Sequence, residues 1–152
     1  SLGDVVVLMH KGKVVETGTG DAVYTFPQTA YAAEFFSRVN RIPAKRSGDW
    51  LDSPLGRFPA PCGSSGSVNL YVRPQSILLN GSGIPARVTS RVLRGEIEEV
   101  GLAVEGIPDT LVMRTSARCG LAIGHEVQVT VNPDDVLVFA ADEGARSALP
   151  RG

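Results

Sequence analysis

The apolar residues of this chain come in short runs, and the spacing inside each run predicts what it forms. Asp4 to Met9 (DVVVLM) is a continuous apolar run with the length of a buried strand. His10-Lys11-Gly12 reads as a turn, because glycine takes positive φ at no steric cost. Lys13 to Thr17 returns as a second strand. Thr19 can cap a short helix over about Gly20 to Tyr24, with Asp21 favourable in its first turn. Thr29 opens a second helix on which Tyr31, Ala32, Phe35 and Phe36 share one side. Residues 1–38 therefore predict hairpin, helix, helix, with more apolar surface than so short a unit can bury alone.

The pattern changes after Ser37. Residues 37–67 hold four of the ten prolines, and 39–48 reads as a linker. Asp49 to Leu51 and Leu55 to Phe58 predict two short strands around the turn Asp52-Ser53-Pro54, and Gly63 to Ser67 a flexible loop. Val68 to Leu79 runs as a strand until Arg73-Pro74 stops it, since proline has no N–H and restricts the residue before it. Ile84 to Leu93 and Glu96 to Glu105 read as a hairpin about Arg94-Gly95, with Pro85 at a strand-start or edge position. Leu111 to Thr115, Glu126 to Val131 and Val136 to Phe139 complete the strands, and 142–152 reads as a flexible tail. The expected fold is mainly β, a small barrel or sandwich over 49–141 behind a short helical unit.

Composition narrows the function classes. With 43% hydrophobic and 20% charged residues, the chain has the balance of a globular protein. A net charge of −1 gives no general attraction to nucleic acid or an anionic membrane. No run approaches the apolar length of a membrane helix, and no export signal opens the sequence. Ser1 in first place, with a strand starting almost at once, points to a piece of a longer chain. Cys62 and Cys119 are far apart with no histidine at ligand spacing, which predicts two free thiols and no metal site.

Residues 4–37, DVVVLMHKGKVVETG through the Thr29 to Phe36 helix, resemble the last segment of the nucleotide-binding domain of ABC importer ATP-binding subunits. Gly20 stands where that family has proline, and Ser37-Arg38 where it has glycine. Residues 49–139 resemble the accessory TOBE domain, an OB-like β-barrel. Val72-Arg73-Pro74, Ile84 to Val88, Gly124 to Val127 and Asn132 to Val136 carry that likeness. The resemblance implies a regulatory and dimerisation region, of a homodimer that works with membrane-spanning permease subunits at the cytoplasmic side of the inner membrane. ATP and magnesium belong to the longer parent. The turn from Asp49 to Gly56 and the VRPQSILL block look most like importers of ferric iron or another inorganic ion. No phosphate-binding GxxxxGK[S/T], LSGGQ-like signature or apolar run closing on Asp-Glu is present, so this stretch is expected to be non-catalytic.

The alternative is a stand-alone module for a small oxyanion such as molybdate. Its candidate residues are Arg73, Arg87, Thr89, Ser90 and Arg91, which supply guanidinium and hydroxyl donors. His10 and His125 read as turn residues, and Glu96, Glu98 and Glu99 as a solvated strand face. Nucleic-acid binding is disfavoured because Tyr24, Phe26, Tyr31, Phe35 and Phe36 all fall outside the barrel, leaving it few stacking platforms.

Overall fold

A computed structural model describes residues 4–116 and 119–141. Val5–His10 (β1) and Lys13–Thr19 (β2) pair as an antiparallel hairpin. Lys11 and Gly12 form its two-residue turn with φ of 52° and 76°, the left-handed values that match strand twist. Thr19 caps Gly20–Thr25 (α1), its hydroxyl accepting from the Ala22 N–H at 3.2 Å. Thr29 does the same for Ala30–Phe36 (α2) through the Ala32 N–H at 3.1 Å. The buried Glu16 carboxylate on β2 accepts from the N–H groups of Gln28 and Thr29, at 3.0 and 3.2 Å. A carboxylate at the start of α2 suits the positive end of the helix and fixes it to the hairpin. Leu8, Val23 and Ala32 form the small core of this unit.

The rest is β. Asn40–Ser47 (β3), Trp50–Ser53 (β4), Gly56–Pro59 (β5), Ser67–Val72 (β6) and Val136–Ala140 (β11) make a five-stranded sheet in the order β11-β6-β3-β4-β5. Ile77–Arg94 (β7), Ile97–Ala103 (β8), Leu111–Thr115 (β9) and Glu126–Val131 (β10) make a four-stranded sheet in the order β10-β7-β8-β9. One core joins them, with Ile42, Leu51, Leu70, Val88, Val100 and Leu102 at most 1% exposed. Each such side chain contributes about 1.5–3 kcal/mol of transfer free energy.

The stretch expected as a linker, 39–48, is instead the middle strand of the larger sheet. Asn40, Ile42 and Ala44 face inward at period two, a signal obscured by Pro43 and the basic residues around it. Pro43 is tolerated because β4 pairs only with Lys45 to Ser47, leaving Pro43 with a neighbour on one side alone. Asn40 also closes the barrel. Its Nδ2 donates to the carbonyls of Val72 at 3.1 Å and Val112 at 2.9 Å, while its Oδ1 accepts from the Val112 N–H at 2.8 Å. One amide thus stitches β3 to β9 where the two sheets would otherwise part.

Two corners carry the chain between sheets. Val72-Arg73-Pro74 ends β6 in a short 3₁₀ turn before β7, and Val131-Asn132-Pro133 ends β10 in another before β11. Because β6 pairs with β11 and β7 with β10, the corners sit side by side, with Val72 opposite Val136 and Ile77 opposite Val131. Strand β7 is longer than expected. It makes an excursion between Leu79, opposite Val129, and Pro85, opposite Gln128. Pro85 is therefore inside the strand, short of Arg87 where the β8 pairing begins. The loop expected to be flexible at Gly63 to Ser67 is pinned, with Arg46 donating to the Ser64 carbonyl at 2.9 Å. The tail expected over 142–152 lies outside the described residues.

Helix α2 lies on the outer face of the five-stranded sheet, where Ala30 and Ala33 pack against Tyr71 and Phe139. Those two rings meet edge to face at 5.3 Å. The Tyr71 hydroxyl donates to Glu34 at 3.3 Å. Burial first, and the Glu34 charge second, push the Tyr71 phenol up to about 12.

Candidate functional site

The chemistry-bearing residues of the barrel cluster on β7 and β8, and the backbone decides how they are presented. Val88 pairs with Leu102 and Ser90 with Gly101, so Thr89 is the extra residue of a β-bulge. The Val88 N–H donates to the His125 carbonyl at 2.9 Å, and the Val88 carbonyl accepts from Gly124 at 2.8 Å. These bonds hold the bulge in place and give His125 the backbone role expected of a turn residue. A Cβ on Gly101 would lie 2.4 Å from Ser90 Oγ, 2.9 Å from Thr89 Oγ1 and 3.3 Å from Thr110 Cγ2. Two hydroxyls and the Thr110 methyl thus converge over a backbone position that only glycine can occupy without displacing them.

The five candidate residues are not brought together. Arg73 stacks on Tyr24 with its guanidinium carbon 4.6 Å from the ring centre, and it donates to the Tyr24 carbonyl and to Ser37 Oγ. It is a strut between the barrel and α1. Arg91 donates to Glu98 Oε2 at 2.6 Å and 3.2 Å. Arg87 is exposed and makes no ion pair among the described residues. Of the five, Thr89 and Ser90 bring their hydroxyls to one point, above Gly101.

The acidic face is also corrected. Glu98 is only 3% exposed, pointing inward because its position on β8 alternates with the solvent-facing Ile97 and half-buried Glu99. Its Oε2 takes Arg91, and its Oε1 is buried without a donor. Glu99 accepts from Arg94 at 2.9 Å and from Arg114 at 2.8 Å. Hydrogen bonds from Arg114 and then Arg94 hold the Glu99 carboxyl below the usual carboxylate range.

Missed by sequence reading was a polar groove of about 300 Å³ beside the bulge, with Arg38, Ser90, Arg94, Glu99, Gly101 and Thr110 among its walls. Arg38 comes from the segment after α2, and its approach to β8 could not be inferred from a position so distant in sequence. A larger groove of about 450 Å³ is lined by Leu78, Leu79, Ile97 and Met113 together with Gln75, Arg114 and Thr115. Neither Cys62 nor Cys119 is in a disulfide, and among the described residues no three His, Cys, Asp or Glu side chains could hold a metal. No helix among them is long and apolar enough to cross a membrane.

Comparison with known proteins fits this arrangement of corners and bulges. Residues 70–139 match the TOBE domain. Over most of its length the chain is similar to the C-terminal part of ABC importer ATP-binding subunits. The Fe(3+) ions import ATP-binding protein FbpC of Streptomyces avermitilis is 31% identical over 95% of this chain and 43% of its own length. The spermidine/putrescine import ATP-binding protein PotA of Borrelia garinii is 27% identical over 91% of this chain and 41% of its own length. This chain therefore spans about two fifths of the curated relatives it matches. Among solved structures, the molybdate-binding protein ModG aligns with a TM-score of 0.54 at 16% identity, covering 69% of this chain and 97% of its own. That likeness shows the fold, a small OB-type β-barrel.

Proposed function

We propose that this chain is the regulatory and dimerisation end of the ATP-binding subunit of a bacterial importer for ferric iron or another inorganic ion. The observation that carries it is the likeness to a ferric-ion import subunit across 95% of the chain, which takes in the TOBE barrel and the hairpin-helix unit alike. In this reading ATP and magnesium are handled by the remainder of a longer protein. This region is non-catalytic, and permease subunits place the assembly at the cytoplasmic side of the inner membrane. The joint between α1, α2 and the barrel, made by Arg73 on Tyr24 and by Tyr71 on Glu34, would carry movements of the nucleotide-binding region to the barrel.

The test is to read the gene upstream of Ser1, delete it, and measure uptake of ferric iron, spermidine and sulfate. A phosphate-binding loop upstream with selective loss of iron uptake supports the reading. An intact iron uptake with loss of another solute moves the assignment to that solute. The stand-alone oxyanion module has less support, because Arg73 and Arg91 are already engaged by Tyr24 and Glu98.

A further inference from the structure

We propose that the free edge of β9 takes up an extended segment of a partner polypeptide, one with an acidic side chain flanked by aliphatic ones, in the groove between β9 and the start of β7. This goes beyond the importer reading and does not rest on it.

The backbone comes first. β9 is the outermost strand of the four-stranded sheet, so one of its edges has no neighbouring strand. At Val112 both polar backbone groups turn away from β8, because the Asn40 carboxamide takes the N–H at 2.8 Å and the carbonyl at 2.9 Å. Such groups alternate along an antiparallel strand, so Arg114, two residues on, also directs its N–H and carbonyl away from β8. No turn or loop bond between described backbone groups engages them. They give on to the groove of about 450 Å³ that Arg114 lines. Asn40 thus fills one rung of the ladder with an amide, and the next rung calls for another. A peptide chain supplies amides at that repeat. The opposite bank is Ile77 to Leu79, which pairs with β10 alone, since β8 joins β7 only from Arg87 onward.

Side chains set the kind of segment. Met113 and Thr115 lie opposite Val100 and Glu98 and share their face, while Arg114 lies on the other. A residue paired with Arg114 therefore sets its side chain beside that guanidinium, and its two neighbours point to the side of Met113 and Thr115. Leu78, Leu79 and Ile97 add exposed aliphatic walls. Arg114 and Arg94 share the single Glu99 carboxylate, and no Asp or Glu is among the described residues lining the groove. The bank at Arg114 is positive overall, which selects an acidic side chain at that rung and fixes register more than it adds affinity.

Titrating the 152-residue chain with the capped peptide acetyl-Ser-Val-Glu-Leu-Ser-amide, followed by amide chemical shifts and hydrogen exchange, tests this. The expected result is saturable binding that moves the Leu79, Arg114 and Thr115 amides and slows exchange at Arg114. Methylating the glutamate nitrogen of the peptide should weaken binding about tenfold, since it removes the donor to the Arg114 carbonyl. Replacing that glutamate with lysine should weaken binding severalfold in the parent chain but not in Arg114→Gln, where Arg94 keeps Glu99 paired. No binding, equal binding by the methylated peptide, or shifts confined to the β1–β2 hairpin would overturn the proposal. Protection of the Arg114 amide that grows with chain concentration and resists competition by the peptide would also overturn it, by placing a second copy of the chain on this edge.

Discussion

Asn40 shows how one side chain can stand in for a strand. Its three hydrogen bonds, one to the Val72 carbonyl and two to the backbone of Val112, join β3 to β6 and to the edge strand β9. Asn40→Ala should cost about 2 kcal/mol, because a buried carbonyl or N–H left unpaired is destabilising by roughly 1–3 kcal/mol. Asn40→Asp should be no better, keeping the acceptor but losing both donated bonds and adding a buried charge. A denaturant titration that found either variant as stable as the parent would refute the closure role. Tyr71 gives a pH signature at the same scale. Its phenol stays protonated in the folded state up to about 12, while in the unfolded chain it ionises near its ordinary 10.0. The stabilisation is complete below pH 10 and is lost as pH rises toward 12, by on the order of 2 kcal/mol. Tyr71→Phe should flatten that alkaline fall in melting temperature. Neither role was legible in the sequence. Asn40 stood in what read as a linker, and Tyr71 was one apolar residue among several in a strand. Their partners, Val112 and Glu34, lie 72 and 37 residues away.

Between elements, stability rests on close approach at the crossings. Gly83 is the clearest case, since a Cβ there would lie 2.2 Å from the Val129 carbonyl oxygen, which belongs to the backbone and cannot swing aside. Gly83→Ala should force β7 away from β10 and cost about 3 kcal/mol, in the range of substitutions that strain a packed backbone. An unchanged denaturation midpoint would show that the excursion relaxes freely. Arg73 tests the joint between units. Replacing it with alanine removes a stacked cation and two donated bonds, worth about 1 kcal/mol together. Hydrogen exchange should then quicken in α1 and α2 by about fivefold while β8 and β10 keep their protection. Uniform quickening across the barrel would mean that Arg73 serves global stability instead. The paired corners, Val72-Arg73-Pro74 and Val131-Asn132-Pro133, were visible as proline stops in the sequence. That they abut was not, because adjacency depends on which strands pair.

For the whole molecule, the decisive surface is the outer face of the β1–β2 hairpin. Val5, Val7, Met9 and Val14 are 52–67% exposed, while Leu8 on the opposite face is buried against the helices. An apolar face of this kind marks an interaction surface. We expect the isolated chain to self-associate at high concentration, and Val7→Ser with Met9→Ser to weaken that association at least tenfold by sedimentation analysis. A chain that stays monomeric at millimolar concentration would contradict this. The sequence by itself determined the elements: the hairpin from its Lys11-Gly12 turn, the helices from Thr19 and Thr29, and the strands from period-two alternation. These are local signals, set within a few residues by backbone sterics and by which side chains must leave water. Only the tertiary structure decided that 39–48 is a central strand, that Glu98 turns inward to Arg91, that Arg73 is a strut, and that Arg38 reaches a groove beside Gly101. Each of those depends on contacts between distant segments, and the period-two alternation at Asn40, Ile42 and Ala44 or around Glu98 does not say which partners they meet.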